Sequence, residues 1–314
     1  MWNNSAVTST IIRAHGVQKR FGSNRVLDGA SFEISEGVTG LLGANGAGKT
    51  TLLGLMLGLD TRDGGDLQVL GKDPEREGNE IRARIGYSPE HHRLPPELPA
   101  ADFVQHIATV HGLPPREATG RASDAMWYVG LGEERNRPIG SLSTGQRQRV
   151  KLAMAIAHDP VLVMLDEPTD GLDPTQRENM LGLIRQLSHE FGINVLLVSH
   201  LLDEVERTCE QVVILKDGRV TAAGGLDEIR GVGRGIRVEV VNNSDALAAY
   251  LEERGCVVER SGAKLIVAPS TSSSYSEEEL LGLAADGVIQ LGCGLRSLEN
   301  QTVSLEEVFM AVGV

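Results

Sequence analysis

A chain of 314 residues with 41% hydrophobic and 23% charged side chains has the composition of a globular protein and the length of two domains. Its formal net charge of -13 argues against a surface that grips a nucleic-acid backbone, which demands a basic face. The start, MWNNSAVTST, lacks the basic residues and apolar run of a signal peptide, and runs such as 161–165 and 195–198 are far too short to span a bilayer.

Residues 11–36 alternate like two strands around a turn, and 38–42 form a short apolar run. A glycine-rich loop begins at Gly43, and TTLLGLML, 50–57, reads as a buried helix. The character then changes over 91–140. HRLPPELP is a proline-rich loop, and His91 and His92 are read as ordinary loop histidines. Amphipathic helices are expected at 101–111 and 118–129, separated by Pro114 and Pro115. Strand-like runs return at 161–165, 195–198 and 212–215. Between the first two lies a helix, 174–191, with Met180, Leu183, Ile184, Leu187 and Phe191 at helical spacing. Strands alternating with helices argue a parallel sheet.

GGLDEIRGVGRG, 224–235, is the expected boundary, dividing the chain into 1–228 and a small α+β domain, 229–314. The second domain reads as a strand at 236–241, a helix at 245–254, a hairpin at 256–268, a helix at 276–283 opened by a Ser276/Glu279 capping box, a strand at 288–291 and a last helix near 304–312. Cys209, Cys256 and Cys293 have no metal-ligand spacing and are expected to be reduced core thiols.

Two stretches carry phosphate chemistry. GANGAGKT, 43–50, fits G-x-x-x-x-G-K-[ST] in full. Its glycines let backbone N–H groups turn toward phosphates, Lys49 supplies a point charge, and the Thr50 hydroxyl is a magnesium ligand. VLVMLDE, 161–167, is an apolar strand ending in two carboxylates. Asp166 then sits at the strand's carboxyl end, where α/β sheets bind ligands, and suits Mg²⁺ held through water. Glu167, one residue on, is placed to polarise an attacking water. SLSTGQRQRV, 141–150, has the chemistry of a second phosphate grip opening a helix.

GANGAGKTTL, LSTGQRQRV, VLVMLDEPTDGLDP and LLVSH, in that order and spacing, resemble the nucleotide-binding subunit of an ABC transporter over about residues 11–225. LSTGQ separates that family from other P-loop proteins, and the N-K-x-D guanine reader of GTPases is absent. The resemblance implies an α/β P-loop NTPase cassette with a mixed sheet, an antiparallel β subdomain and a helical signature subdomain at about 91–148. It assigns ATP to Gly43, Ala44, Asn45, Gly46, Ala47, Gly48, Lys49, Thr50 and Thr51, and the signature to Ser143, Thr144, Gly145 and Gln146. Asp173 matches the D-loop, and His200 the switch histidine that contacts the γ-phosphate. Glu167, His200 and Lys49 are the catalytic set; Thr50 and Asp166 are the magnesium ligands. Phe21 stands where the family stacks an aromatic on adenine.

One departure concerns IGYSPEHH, 85–92, where a glutamine usually reaches the metal and the attacking water. Here the position holds Glu90, still a competent Mg²⁺ ligand. The resemblance also explains why one chain has two grips. Two cassettes face head to tail, and ATP lies between the P-loop of one and the signature of the other, so a second copy of the chain is the simplest partner. A separate membrane permease is the other implied partner, with the chain cytoplasmic and peripheral on the inner face of the membrane. The tail SLEEVFMAVGV, 304–314, resembles exporter cassettes and favours export. The rival reading is a soluble regulatory ATPase acting on ribosomes or DNA. Such proteins carry two cassettes or long coiled-coil insertions, and this acidic chain has neither.

Overall fold

The computed structural model describes residues 10–90, 94–230, 235–262, 264–270, 275–301 and 305–306. The chain divides into two compact units, Met1–Leu226 and Asp227–Val314.

The first unit opens with β1 (Thr10–Phe21) and β2 (Asn24–Ser35), a hairpin turning through Gly22 and Ser23 as the alternation predicts. With β4 (Gly64–Val69) they form a three-stranded antiparallel sheet, order β2-β1-β4. The second sheet has six strands, order β5-β6-β7-β3-β8-β9. Its members are β3 (Val38–Leu42), β5 (Ile85–Ser88), β6 (Leu162–Asp166), β7 (Asn194–Ser199), β8 (Gln211–Lys216) and β9 (Arg219–Gly225). The first five are parallel and β9 is antiparallel, so the sheet is mixed. In β3, β6 and β7 every residue is buried, which is why each is an unbroken apolar run instead of an alternating one.

Helices α1 (Lys49–Met56), α2 (Pro74–Arg82), α6 (Pro174–Phe191) and α7 (Leu202–Thr208) connect these strands. The predicted α6 bounds hold, and Met180, Ile184 and Leu187 are buried on it. Phe191 is not: it is exposed and meets the Tyr128 ring edge-on at 5.1 Å. Between β5 and β6 run α3 (Ala100–Val110), α4 (Pro115–Tyr128) and α5 (Thr144–Ile156). Helix α5 continues past 148, the expected end of the helical segment, because Val150, Leu152, Ala153, Met154 and Ala155 are buried on it. Strands β4, β5 and β9 and helices α2 and α7 have no counterpart in the sequence reading. A short helix, α8 (Leu226–Arg230), follows β9.

The second unit is a βαββαβ arrangement: β10 (Gly235–Val240), α9 (Ser244–Glu252), β11 (Cys256–Ser261), β12 (Lys264–Pro269), α10 (Glu277–Gln290) and β13 (Leu295–Gln301). Its antiparallel sheet has the order β11-β12-β10-β13, and Ile236, Val238, Val240, Leu265 and Val267 pack with Leu247, Leu251, Leu280 and Ala284 of the helices. The Ser276/Glu279 capping box is present. The strand expected at 288–291 is instead the end of α10. Leu280, Ala284 and Val288 are buried at four-residue intervals, so VIQL closes a helical stripe, and the strand lies further on at β13. The helix expected near 304–312 falls outside the described residues except for Leu305 and Glu306, as do His91 and His92. All three cysteines are buried and free. Among the described residues no helix is long and apolar enough to cross a membrane.

Candidate functional site

The site is built where β3, β6 and β7 end. Strand β3 delivers the chain into the glycine loop, and α1 begins at Lys49. Gly48, the residue before that helix, has φ 107°, a conformation that a side chain would strain. Lys49 folds back over the loop: its Nζ donates to the Gly43 carbonyl at 2.5 Å and lies 3.6 Å from Glu167 Oε1.

A cavity of about 420 Å³ opens here. Ala44, Asn45, Gly46, Gly48, Lys49, Thr50 and Thr51 line it from the loop, Asp166 and Glu167 from the end of β6, Glu90 from beyond β5, and Val26 from β2. Gly43 and Ala47 are not in the lining. Gly43 holds Lys49, and the Ala47 carbonyl accepts from the Gly218 amide at 3.2 Å. Backbone donors, a helix N-terminus and a lysine therefore face one space with three carboxylates opposite.

Asp166 is 3% exposed, and its carboxyl is pushed up to about 6. Burial is the main cause, followed by the charges of Glu90 and Glu167; Lys49 and Lys151 oppose them. Glu167 has φ 48° and is held by its amide, which donates to the Val198 carbonyl at 3.0 Å. His200, just beyond β7, puts Nδ1 2.9 Å from Glu167 Oε2, a contact in which the imidazole donates when the carboxylate is ionised. The parallel pairing of β6 with β7 thus brings together a Glu–His pair that lies 33 residues apart in sequence.

Phe21 is 50% exposed, so it is not core, and the Lys19 ammonium lies 4.8 Å from its ring centroid. It does not line the cavity; Val26, across the same hairpin, does. Asp173 caps α6 by accepting from the Gln176 amide at 2.8 Å and also lies outside the cavity lining. Ser143 caps α5, and the Ser143/Gln146 capping box is complete. None of Ser143, Thr144, Gly145 and Gln146 lines the Lys49 cavity.

Two residues escaped the sequence reading. Glu204 of α7 is fully buried; it accepts from Thr169 Oγ1 at 2.6 Å and Ser199 Oγ at 2.8 Å, and Arg177 Nε lies 3.4 Å away. It ties the turn after Glu167 to the residue before His200. Lys151 of α5 is buried and donates to the Glu90 carbonyl at 3.0 Å.

Residues 27–170 match the ABC transporter family. The linearmycin resistance ATP-binding protein LnrL of Bacillus subtilis (strain 168) is 30% identical over 96% of this chain and 97% of its own length. The chain belongs to the ATP-binding subunits of ABC transporters. The Nod factor export ATP-binding protein I of Ralstonia nicotianae (strain ATCC BAA-1114 / GMI1000) is 32% identical over 96% of this chain and 94% of that one. The methionine import ATP-binding protein MetN of Rhizobium etli (strain ATCC 51251 / DSM 11541 / JCM 21823 / NBRC 15573 / CFN 42) is 33% identical but matches only 70% of this chain and 62% of its own. Among solved structures, the cassette MJ0796, described as a post-hydrolysis dimer bound to ADP and Pi, superposes with a TM-score of 0.60 and 27% identity over 68% of this chain and 98% of that one. The ABC cassette is an ATPase, and the residues of the glycine loop and the end of β6 converge on the Lys49 cavity.

Proposed function

We propose that this chain is the ATPase subunit of an export system, working as a homodimer beneath a separate membrane permease on the cytoplasmic face. The supporting observation is the separation of the two grips. The loop carrying Lys49 forms one face of a phosphate cavity, and the Ser143–Gly145 turn, with Gln146 behind it, is absent from that lining. A second copy turned head to tail supplies the missing face to each site. ATP then acts as an interface ligand, and its hydrolysis releases the interface.

Within one site, Lys49 and the amides of the loop bind phosphate oxygens, so Lys49 exchanges its Glu167 contact for the γ-phosphate. Glu167 orients and deprotonates the attacking water, and His200 steadies that carboxylate and meets the γ-phosphate. Phe21 offers its exposed face for stacking against the base. Asp173, at the start of α6, serves the partner-facing side. The donor set fits magnesium: a hydroxyl on Thr50 and a buried carboxylate on Asp166, crowded by like charge, share one cavity with Glu90. A cation held there would neutralise phosphate charge. Export is supported by relatives matched over almost the full chain, whose names carry export or resistance functions; the import relative is matched over a smaller part.

Mixing tests the shared site. A Lys49→Ala chain combined with a Gly145→Asp chain places both lesions in one composite site and leaves the other intact. ATPase activity above that of either variant alone is expected. Inactivity in a confirmed heterodimer would contradict head-to-tail sharing by independent sites.

A further inference from the structure

The face of α5 that follows the signature turn carries basic residues that lie outside the lining of the Lys49 cavity. Thr144, Arg147, Gln148 and Lys151 recur at i, i+3, i+4 and i+7 and so share one side of the helix. All four line a second cavity, bordered on its other side by Glu90 and Leu94. Lys151 is only 5% exposed, and an ammonium buried to that extent persists only when paired. Its Nζ donates to the Glu90 carbonyl at 3.0 Å. Burial weakens its hold on a proton, and the charges of Asp166, Glu90 and Asp170 counteract that loss. On the same face, Gln148 Nε2 donates to the Asp170 carbonyl at 3.1 Å. The signature helix is therefore strapped to the segment after β5 and to the turn after β6, the two segments that bring Glu90, Asp166 and Glu167 to the Lys49 cavity.

We propose that Lys151 is a positioning residue for ATP hydrolysis: it holds the Glu90 segment against the signature helix and supplies positive charge beside Glu90 in the cavity they share. A displacement of that segment then reaches the signature helix of the same chain, and the reverse. A glutamine at position 90 would leave Lys151 no side-chain charge to offset while keeping the carbonyl contact.

The proposal rests on reading the Lys49 cavity as the phosphate site, a reading checked separately by Lys49→Ala, which would refute it by retaining ATP affinity. The test of Lys151 uses the full chain with Lys151→Met, Lys151→Arg, Lys151→Gln and the double variant Lys151→Met/Glu90→Gln. Steady-state kinetics and hydrogen exchange of residues 85–90 are read for each. Lys151→Met should lower kcat roughly tenfold, the scale of one charge-assisted hydrogen bond, with KM for ATP within about twofold. Exchange at 85–90 should speed up. Lys151→Arg should retain most of kcat, and Glu90→Gln should recover part of the loss in the double variant. Lys151→Gln, which keeps a donor but no charge, should restore slow exchange without restoring kcat, and it carries the same decision if Lys151→Met does not fold. Wild-type kcat and exchange in Lys151→Met and Lys151→Gln would overturn the proposal. So would equal kcat losses in the Arg, Met and Gln variants with exchange at 85–90 unchanged.

Discussion

At Glu167 the backbone adopts φ 48°, a region that non-glycine residues rarely occupy, and a buried carboxylate is aimed between Lys49 and His200. Substituting an amide keeps the shape and removes the base. Glu167→Gln should bind ATP with affinity within a few-fold of wild type and lose about 10²-fold or more in turnover, read by calorimetry and phosphate release. Asp166 gives a pH dependence. Its ordinary value is 3.8 and its folded value about 6, so the folded state binds its proton more readily than the unfolded chain does. The stabilisation from that proton is present below 3.8 and is lost as pH rises through about 6. Near neutral pH the ionised Asp166 therefore costs the metal-free fold stability, and Asp166→Asn should raise its melting temperature while abolishing turnover. In the wild type, the Mg²⁺ concentration for half-maximal ATPase should rise as pH falls through about 6, since protons compete for the same carboxylate. Glu204 is different in kind. Glu204→Ala would leave the buried Thr169 and Ser199 hydroxyls without their acceptor and remove the charge opposite the partly exposed Arg177, and a loss of about 2–4 kcal/mol by chemical denaturation is expected.

Among the elements, those around the Lys49 cavity were legible because their sequence meaning is local. The loop 43–50 needs glycine, lysine and threonine at fixed offsets, and β3 and β6 are apolar runs long enough to stand out. Strand β5, only four residues with one half-exposed, has too little pattern, yet it is what delivers Glu90. Helix α2 buries only Pro74 and Ile81, and β13 is largely polar, so neither shows a period. The run VIQL misled because four apolar residues fit a strand and a helix end equally well. Glu204 and Lys151 were unreadable, since each acquires its role from partners dozens of residues away. The packing of β5 on α5 supplies its own test. A Cβ on Gly86 would meet the Ala155 carbonyl oxygen at 1.9 Å, backbone that cannot rotate aside. Gly86→Ala should therefore push β5 from α5, costing about 1–3 kcal/mol in denaturation and lowering kcat through the displaced Glu90.

As a whole molecule, the chain pairs an ATPase unit with a βαββαβ unit whose core is separate. The export and resistance relatives are matched over 96% of the chain, and the import relative over 70%. The central claim is that one chain holds half of each ATP site. The most direct measurement is the molar mass by light scattering of Glu167→Gln with saturating ATP, beside the same variant carrying Gly145→Asp. Gly145 already lies against Gln176, where an added Cβ would come within 2.4 Å of its Oε1, so an aspartate there alters the signature face while the Lys49 cavity stays intact. The account predicts a dimer for Glu167→Gln and a monomer, still ATP-bound, for the double variant. A Glu167→Gln chain that binds ATP fully and remains a monomer would contradict it.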